Sequence, residues 1–399
     1  MKTNNNIPAY RFQGYTDAWE LRKFDKITFL AGQKNKNNLP YESYSVTNDK
    51  GFVPQNEQFE KGGTMATADK SMYYIVSPSS FAYNPARINI GSIGYYNQPE
   101  NVIVSSLYEV FKTTDEVYDR FLWHWFKSDI FKKKIEELQE GGVRLYFYYD
   151  KLCKCSLFLP SIQEQKIIGD RLDSLDRHIT LHQRKLDTLK EQKKTYLKLL
   201  FPAKGQTKPA LRFQGFEDDW EEVKLGGIYK FSQGLQVPVE EQFFEPREEL
   251  VRFIRIVDLT SQNDDIRWVK KNKVGCVSRE DIFFVRYGSI GEIGYGFEGI
   301  IANNLFKLNP LISLHSLFMY QQFKSQKFQN FLQNIGGSTT MPAIKFTDLN
   351  NISVSLPTLP EQEAIGIFFQ TLDQEIAQVE DKLASLKEMK KTLLRKLFV

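Results

Sequence analysis

Apolar residues recur at intervals of three, four and seven positions along two long stretches of the chain. They are Ile168, Leu172, Leu175, Ile179, Leu186 and Leu189 in the first stretch, and Ile365, Leu372, Ile376, Leu383 and Leu386 in the second. An average period of about 3.5 residues keeps one seam of a helix facing a partner, which is typical of a coiled coil. Charged residues surround this narrow seam, whereas a helix lying on its own globular domain would show a broader apolar face. The pattern predicts two long helices that pack against each other.

Both stretches begin with the same kind of sequence. Leu159-Pro160 precedes Ser161-x-x-Glu164, and Leu356-Pro357 precedes Thr358-x-x-Glu361. A hydroxyl residue followed three positions later by glutamate is the signature of a capping box, in which each side chain satisfies a backbone N–H at the helix start. We expect the long helices to begin here, and the first of them to end at the helix-breaking segment 202–208.

The remainder of the chain alternates short apolar runs with turn residues. Runs rich in β-branched and aromatic residues, such as 71–76 and 281–286, predict strands. One amphipathic helix interrupts the strands in each half, at Tyr118–Leu138 and at Leu314–Ile335, and a Gly-Gly pair that fits a C-terminal cap follows each of them. The sequence therefore predicts a mixed α/β fold.

The same motifs occur in the same order in both halves, which indicates an internal duplication. Ten of the 17 positions from 8 to 24 are identical to positions 209 to 225, and 19 of the 42 positions from 160 to 201 are identical to positions 357 to 398. The turn sequence Gly-Ser-Ile-Gly at 91–94 returns at 288–291. Since chance does not produce this agreement, we predict two copies of one unit, although residues 44–72 have no clear counterpart in the second copy.

The duplication divides the chain into globular and helical segments. A first globular domain is predicted at 1–158 and a second at 209–355. The helical arms are predicted at 159–201 and 356–399, and a linker at 202–208 joins the copies. Each copy is therefore expected to be a globular domain followed by an arm.

Composition and charge change this picture little. The net charge of +4 on 399 residues neither favours nor excludes a nucleic-acid partner. Three cysteines are too few for a disulfide framework, which fits a reducing compartment. Residues 1–8 do not fit a signal peptide, and polar residues break the most apolar stretch, 299–320. We expect a cytoplasmic protein without a membrane partner.

The sequence contains no recognised catalytic motif. It has neither a G-x-x-x-x-G-K-[ST] loop for a nucleoside triphosphate nor a G-x-G-x-x-G after a predicted strand. Asn84-Pro85-Ala86-Arg87 lacks the second proline and the aromatic residue of the N-P-P-[YF] loop that holds a flipped adenine. The four histidines are scattered, which argues against a metal site. We expect no catalytic residue and no metal in this chain.

Turn-rich segments in both halves combine residues that suit contacts to nucleic acid. Arg can read guanine edges, Asn can read adenine, and Ser, Thr and Lys hold phosphates. The candidate DNA contacts are Tyr83, Asn84, Arg87, Asn89, Ser92, Arg144 and Tyr146 in the first half, and Arg286, Tyr287, Ser289, Asn303, Asn304, Thr339 and Lys345 in the second.

This combination resembles a known family, the specificity (S) subunits of type I restriction-modification systems. The resemblance covers essentially the whole chain. It depends on the Leu-Pro…Glu-Gln start of each arm, on the Gly-Ser-Ile-Gly turns, and on the Arg-Phe-x-Gly opening of each half, at Arg11 and Arg212. Members of this family are similar in carrying two target recognition domains and two helical regions.

The resemblance implies a fold and a function. Two α/β target recognition domains would be joined by two long helices that form an antiparallel coiled coil, with pseudo-two-fold symmetry. Each domain would read one half of a bipartite site in double-stranded DNA, and the coiled coil would space the domains and dock two modification subunits. Restriction subunits would join through the modification subunits. S-adenosylmethionine, ATP and Mg²⁺ would be bound by these partners, and no cofactor by this chain.

Two other functions stay open at this point. A self-sufficient N6-adenine DNA methyltransferase or restriction-methyltransferase would need a cofactor motif, and the sequence shows none. A purely structural coiled-coil adaptor would not need the duplicated globular sequence that makes up most of the chain.

Overall fold

A computed structural model describes residues 6–48, 50–58, 69–138, 146–260, 265–336 and 343–398 of the chain. These residues belong to two compact units. Unit 1 consists of Met1–Gln183 together with Asp381–Val399, and unit 2 is Arg184–Glu380. Each unit contains strands, short helices and part of both long helices, which confirms the mixed α/β class.

The described part of unit 1 contains eleven strands and the start of the first long helix. The strands are β1 (Glu20–Lys23), β2 (Thr28–Leu30), β3 (Gln33–Lys34), β4 (Ser43–Thr47), β5 (Gly51–Pro54), β6 (Tyr74–Val76), β7 (Ser80–Tyr83), β8 (Ile93–Tyr96), β9 (Val102–Val104), β10 (Glu109–Thr113) and β11 (Ser156–Leu159). The helices are α1 (Phe24–Ile27), α2 (Gln55–Gln58), α3 (Asp119–Trp125), α4 (Asp129–Leu138), α5 (Tyr149–Lys154) and α6 (Ile162–Leu199), which continues into unit 2. A short 3-10 helix lies at Ile88–Ile90.

Two larger sheets form the centre of unit 1. One is antiparallel in the order β2-β10-β7-β8, and the other has the order β3-β6-β9-β4-β5, with β4 and β9 parallel. Strand β7 is apolar on both faces because Phe81 and Tyr83 enter the core on the helix side, while Ala82 enters a second core between the sheets. This explains why the short runs read from the sequence do not alternate with polar residues.

Unit 2 contains the second set of strands and the start of the second long helix. The strands are β12 (Glu221–Lys224), β13 (Tyr229–Gln233), β14 (Leu250–Ile254), β15 (Arg267–Lys270), β16 (Cys276–Val277), β17 (Ile282–Val285), β18 (Ile293–Gly294), β19 (Gly299–Ile301), β20 (Leu305–Pro310) and β21 (Ser353–Leu356). The helices are α7 (Leu225–Ile228), α8 (Val257–Thr260), α9 (Ser316–Lys324), α10 (Gln326–Gly336), α11 (Phe346–Asn350) and α12 (Leu359–Leu397), which continues into unit 1.

The sheets of unit 2 repeat those of unit 1. The order β13-β20-β17-β18 corresponds to β2-β10-β7-β8, and β15-β14-β19-β16 corresponds to β5-β4-β9-β6, including the parallel pair. Strands β4 and β5 of unit 1 are therefore structurally equivalent to β14 and β15 of unit 2. The expectation that residues 44–72 lack a counterpart is wrong for these strands, since the pairing was kept while the sequence changed.

The helix expected at Tyr118–Leu138 is two helices, α3 and α4, and the one expected at Leu314–Ile335 is α9 and α10. A serine produces each break. The hydroxyl of Ser128 donates to the carbonyl of Trp125 at 2.7 Å, and that of Ser325 donates to Gln322 at 2.6 Å. Such side-chain bonds compete with the helical backbone bonds and end the first helix. Of the expected Gly-Gly caps, Gly141, Gly142 and Gly337 lie outside the described residues, and Gly336 is the last residue of α10.

The two long helices run antiparallel within each unit. In unit 1, Lys390 of α12 forms an ion pair with Asp176 of α6. In unit 2, Lys185 of α6 lies 2.8 Å from Glu375 of α12. Among the residues of the predicted seam, Ile179 and Ile376 are half-buried. The other members are buried: Ile168, Leu172, Leu175, Leu186, Leu189, Ile365, Leu372, Leu383 and Leu386.

The glutamate at the start of each long helix does not complete a capping box. Both carboxylate oxygens of Glu164 accept hydrogen bonds from the guanidinium of Arg11 at 2.8 Å, and those of Glu361 accept from Arg212 at 2.7 Å. The neighbouring Gln165 donates to the carbonyl of Pro160 at 3.0 Å and accepts from the N–H of Tyr118 at 2.8 Å. The Glu-Gln pair therefore fastens the helix start to its domain.

The start of each long helix also packs closely on the globular part of its unit. Ile168 and Leu172 lie in the core of unit 1, and a Cβ atom at Gly169 would stand 2.9 Å from the backbone nitrogen of Phe121. Only glycine allows this approach. The first turns of α6 thus lie on their own domain, which is the arrangement that the seam pattern disfavoured, while later turns carry the seam.

Both long helices end in a Leu-Phe pair that enters a core. Leu397 and Phe398 lie in the core of unit 1, and Leu200 and Phe201 lie in that of unit 2. The opening segments of the two halves dock nearby, since the N–H of Tyr10 donates to Lys396 at 3.0 Å. The last turn of α12 therefore belongs to the same core as Phe12 and Trp19.

Among the described residues, no helix combines the length and the apolar character needed to cross a bilayer. The two long helices reach the length, but charged residues interrupt both.

Candidate nucleic-acid interface

Several connections between strands meet at one end of the antiparallel sheet in unit 1. Strands β2 and β7 run in the same direction because each pairs antiparallel with β10. The segments that follow them, and the turn before β10, therefore lie at the same end. The N–H of Phe147 donates to Pro85 at 3.0 Å, which adds a further segment. We call residues 34–39, 84–92, 105–108 and 146–148 the loop edge of unit 1.

The loop between β7 and β8 is held in shape by local hydrogen bonds, one of them to a side chain. The amide oxygen of Asn84 accepts from the N–H of Ala86 at 2.9 Å. Gly91 closes the 3-10 turn with φ of +90°, a conformation that glycine adopts without strain. Arg87 and Asn89 are exposed on this loop. Their side chains are therefore available at the loop edge, as the sequence predicts for a contact residue.

Two of the candidate residues lie in the interior of unit 1. Tyr83 is 0 % exposed, and burial raises the pKa of its phenol well above the ordinary value. Ser92 is buried, and its hydroxyl donates to the carbonyl of Val46 at 2.8 Å. Since the first faces the core and the second serves the adjacent sheet, we exclude both from the DNA contacts.

A pair of tyrosines extends the loop edge. Tyr146 and Tyr148 are exposed on either side of the buried Phe147, and their rings stack with centroids 5.5 Å apart and planes 9° apart. Sequence reasoning named Tyr146 and missed Tyr148, although the spacing of two in an extended segment places both rings on one face. Arg144 lies outside the described residues.

Unit 2 has an equivalent loop edge. The N–H of Arg286 donates to Asn304 at 2.8 Å, and the N–H of Ile344 donates to Arg286 at 2.8 Å, as Phe147 does to Pro85 in unit 1. We call residues 286–292, 302–304 and 343–345 the loop edge of unit 2. The structure thus brings together segments that are far apart in sequence.

Candidate residues of unit 2 are distributed over this edge. Tyr287, Ser289 and Lys345 are exposed, and Arg286 is half-buried. Asn303 and Asn304 are also half-buried, and Asn303 donates to the side chain of Gln236 at 3.4 Å. Thr339 lies outside the described residues.

The Gly-Ser-Ile-Gly repeat does not superpose in the way the sequence suggests. Gly94 pairs with Ala82 in β7–β8, and Gly294 takes the corresponding place opposite Phe283 in β17–β18. The equivalent strand of unit 2 is therefore Ile293-Gly294, and Gly288 to Gly291 lie in the preceding loop. The loop edge of unit 2 consequently presents a different backbone from that of unit 1.

A buried polar cluster joins the domain of unit 1 to α6. The Nε2 atom of His124, which is 0 % exposed, lies 2.8 Å from the carboxylate of Asp173, and Arg120 approaches the same carboxylate at 3.3 Å. Burial lowers the pKa of His124, and the charge of Lys127 adds to this effect. In unit 2, Gln321 takes the equivalent place and donates to Asp373 at 3.1 Å.

We expect His124 to make the stability of unit 1 depend on pH. Because its pKa is lower in the folded chain than in the unfolded one, the unfolded chain binds more protons, and stability falls as the pH drops below about 6.5. His124→Gln introduces the residue that unit 2 has at the equivalent position, Gln321, and should reduce the loss of stability at low pH. Thermal unfolding at pH 7.5 and 5.8 measures it, and an unchanged fall in the variant would contradict the assignment.

Asp173, the second titratable group of the cluster, ionises at lower pH than His124. Although burial opposes it, the hydrogen bond with His124 leaves the pKa of Asp173 below its ordinary value. Its contribution to stability is therefore present above about pH 4 and is lost below it, outside the range of this measurement.

Across the described ranges, no group of three or more His, Cys, Asp or Glu side chains is arranged to hold a metal ion. The exposed polar side chains of the two loop edges are amides, hydroxyls, phenols and cations, and the apolar Leu39, Ile90 and Leu107 are exposed beside them in unit 1. The polar groups suit hydrogen bonds to bases and contacts to phosphates.

A family model described as "Type I restriction modification DNA specificity domain" matches the chain twice, over residues 19–191 and 217–388. Each match includes one globular domain with its sheets and most of the long helix that follows. The two matches therefore coincide with the two copies found in the sequence.

Two curated proteins illustrate the similarity. The chain is 28 % identical over 186 residues to the specificity subunit of the type I restriction enzyme MjaVIII from Methanocaldococcus jannaschii, which covers 45 % of this chain and 42 % of that protein. It is 23 % identical over 273 residues to the EcoBI specificity subunit from Escherichia coli, which covers 60 % of this chain and 57 % of that protein. These alignments span about half the length of both relatives.

A solved structure extends the similarity to the whole chain. The S subunit of a type I restriction-modification system from M. genitalium has a TM-score of 0.63 and 17 % identity, and the alignment covers 98 % of this chain and 99 % of that chain. This result shows a shared fold.

Proposed function

Since the chain belongs to the family of type I restriction-modification DNA specificity domains, we propose that it is the DNA-recognition subunit of a cytoplasmic type I restriction-modification complex. Each unit reads one half of a bipartite site in double-stranded DNA through its loop edge. The chain itself carries out no catalytic step.

One observation supports this proposal most strongly. The two units repeat the same sheets but present different side chains at equivalent places. Where unit 1 has Pro85, Tyr146 and Tyr148, unit 2 has Arg286, Ala343 and Lys345. A shared frame with different reading groups suits a site whose two halves differ in sequence.

The antiparallel long helices suit the second part of the proposed role, which is the docking of partner subunits. Two modification subunits dock on them, and restriction subunits join through the modification subunits. S-adenosylmethionine, ATP and Mg²⁺ are bound by these partners. A self-sufficient N6-adenine methyltransferase or restriction-methyltransferase is not favoured, because both copies of the chain match the specificity model.

Selection from randomised DNA tests the proposed function. The chain, assembled with its modification subunits, is incubated with a random duplex library, and the bound DNA is sequenced. We expect two short conserved blocks separated by a spacer of constant length. A bound pool without sequence preference would contradict the proposal, and so would methyl transfer by the isolated chain.

A further inference from the structure

The segment 34–39 of the loop edge in unit 1 carries positive charge that the predicted contacts do not include. Lys34 and Lys36 are exposed, and so are Asn37 and Asn38. Among the described residues, neither lysine forms an ion pair. The segment therefore presents two cations to solvent at the edge that holds Arg87 and Asn89.

A buried asparagine fixes the shape of this segment. Asn35 is 1 % exposed, its amide nitrogen donates to the carbonyl of Leu39 at 3.0 Å, and its amide oxygen accepts from the N–H of Leu39 at 2.9 Å. The N–H of Asn35 also donates to Tyr73 at 2.9 Å. The lysines are thus held on a preorganised loop, which lowers the entropy cost of ordering it on a ligand.

The sheet pairing locates this segment relative to the reading loop. Asn35 binds beside Tyr73, which precedes Tyr74, and Tyr74 pairs with Val104 just before the turn 105–108. That turn leads into β10, the neighbour of β7. The segment therefore lies beside the β7–β8 loop at the same edge of unit 1. When a reading loop contacts base edges in the major groove, a neighbouring loop at the same edge faces the phosphate backbone that borders the groove.

We propose that Lys34 and Lys36 bind the DNA backbone phosphates that flank the half-site read by unit 1, an inference that rests on the proposed function. Lysine suits this contact because it is a flexible point charge that neutralises phosphate without reading a base. In unit 2 the corresponding connection after β13, which the structure describes, carries the acidic Glu240 and Glu241 instead of exposed lysines. The proposed phosphate contact by Lys34 and Lys36 therefore belongs to unit 1.

Salt dependence of DNA binding tests this proposal. The assembled complex with Lys34→Gln and Lys36→Gln is titrated with duplex DNA that contains its site, at several salt concentrations. Each lost phosphate contact lowers the slope of log K against log salt by about 0.9, so we expect a decrease of about 1.8. Affinity at low salt falls on specific and unrelated DNA alike, and sequence preference is kept. An unchanged slope would overturn the proposal.

Two variants separate this contact from general effects. Lys23→Gln with Lys26→Gln removes two exposed lysines before β2, at the opposite end of the sheet, and should leave the slope unchanged. Asn35→Ala keeps both lysines but loosens their loop, and should weaken binding. If the wild-type complex showed no sequence preference, the proposed function would fail. If the wild-type complex showed sequence preference, and the Lys34→Gln, Lys36→Gln variant had the same salt dependence as wild type, only the proposed phosphate contact would fail.

Discussion

Replacing Arg212 with alanine is expected to lower the free energy of unfolding of unit 2 by about 3–5 kcal/mol, because it leaves a buried carboxylate without its partner. The side chain of Glu361 is 1 % exposed, and both of its oxygens accept from the Arg212 guanidinium at 2.7 Å. Hydrogen exchange measured by mass spectrometry on the full chain reports the loss in the segments of unit 2. The segments of unit 1 should keep their protection.

A surface ion pair of the same unit provides the control. Lys208 and Asp219 lie 3.1 Å apart, but their side chains are 54 % and 65 % exposed. Lys208→Ala should therefore have a much smaller effect than Arg212→Ala, because solvent screens an exposed ion pair. The matched variant Arg11→Ala should act on unit 1 in the way that Arg212→Ala acts on unit 2. Equal, small effects of Arg212→Ala and Lys208→Ala would contradict the role of the buried pair.

Phe398→Ala is expected to destabilise unit 1 by about 3–5 kcal/mol, which is the usual cost of deleting a buried aromatic ring. Phe398 is 4 % exposed, and its ring centroid lies 5.2 Å from that of Phe121. The result would show that residues at the end of α12 complete a core formed mostly by the first half of the chain. Hydrogen exchange in α3 and β7 measures the effect.

The equivalent residue of unit 2 provides the comparison. Phe201 packs against Phe318 at 5.5 Å and against Trp220 at 6.1 Å, so Phe201→Ala should loosen unit 2. The two variants should have opposite patterns of protection. Loss of protection in the same segments for both variants would show that the cores are not divided in this way.

The sequence predicts the long helices well because their signal is local. A repeat of three and four positions reveals the seam without knowledge of distant residues, and the structure buries or half-buries every seam residue that it predicts. The duplication likewise follows from identity alone. Strands β4 and β5 have no clear counterpart in the sequence, yet their pairing matches that of β14 and β15 in the structure.

Contacts between distant segments account for most of what the sequence does not predict. Glu164 matches a local capping rule, yet its carboxylate binds Arg11, 153 positions away. Ser128 is a local exception, because it lies in an amphipathic pattern that favours one helix, yet its hydroxyl bonds to Trp125, 3 positions away, and ends that helix. In both cases a side chain that satisfies a local rule has a stronger partner.

The candidate interface shows the same division. Residue types alone do not distinguish Tyr83 from Asn84, although the first points into the core and the second begins the exposed loop. The direction in which a strand's last side chain faces depends on the layer packed against it. Residue types therefore predict candidate segments, and the structure shows which of their members are exposed.

A map of methylated adenines tests the central claim, that each unit reads its own half of the site. The complex is assembled once with the wild-type chain and once with Arg286→Ala, and DNA methylated by each is sequenced. We predict two conserved blocks for wild type. Losing one good base contact costs about 1–3 kcal/mol of discrimination, so the variant should relax one block and keep the other block and the spacer. Methylation without sequence preference, or equal relaxation of both blocks, would contradict the account.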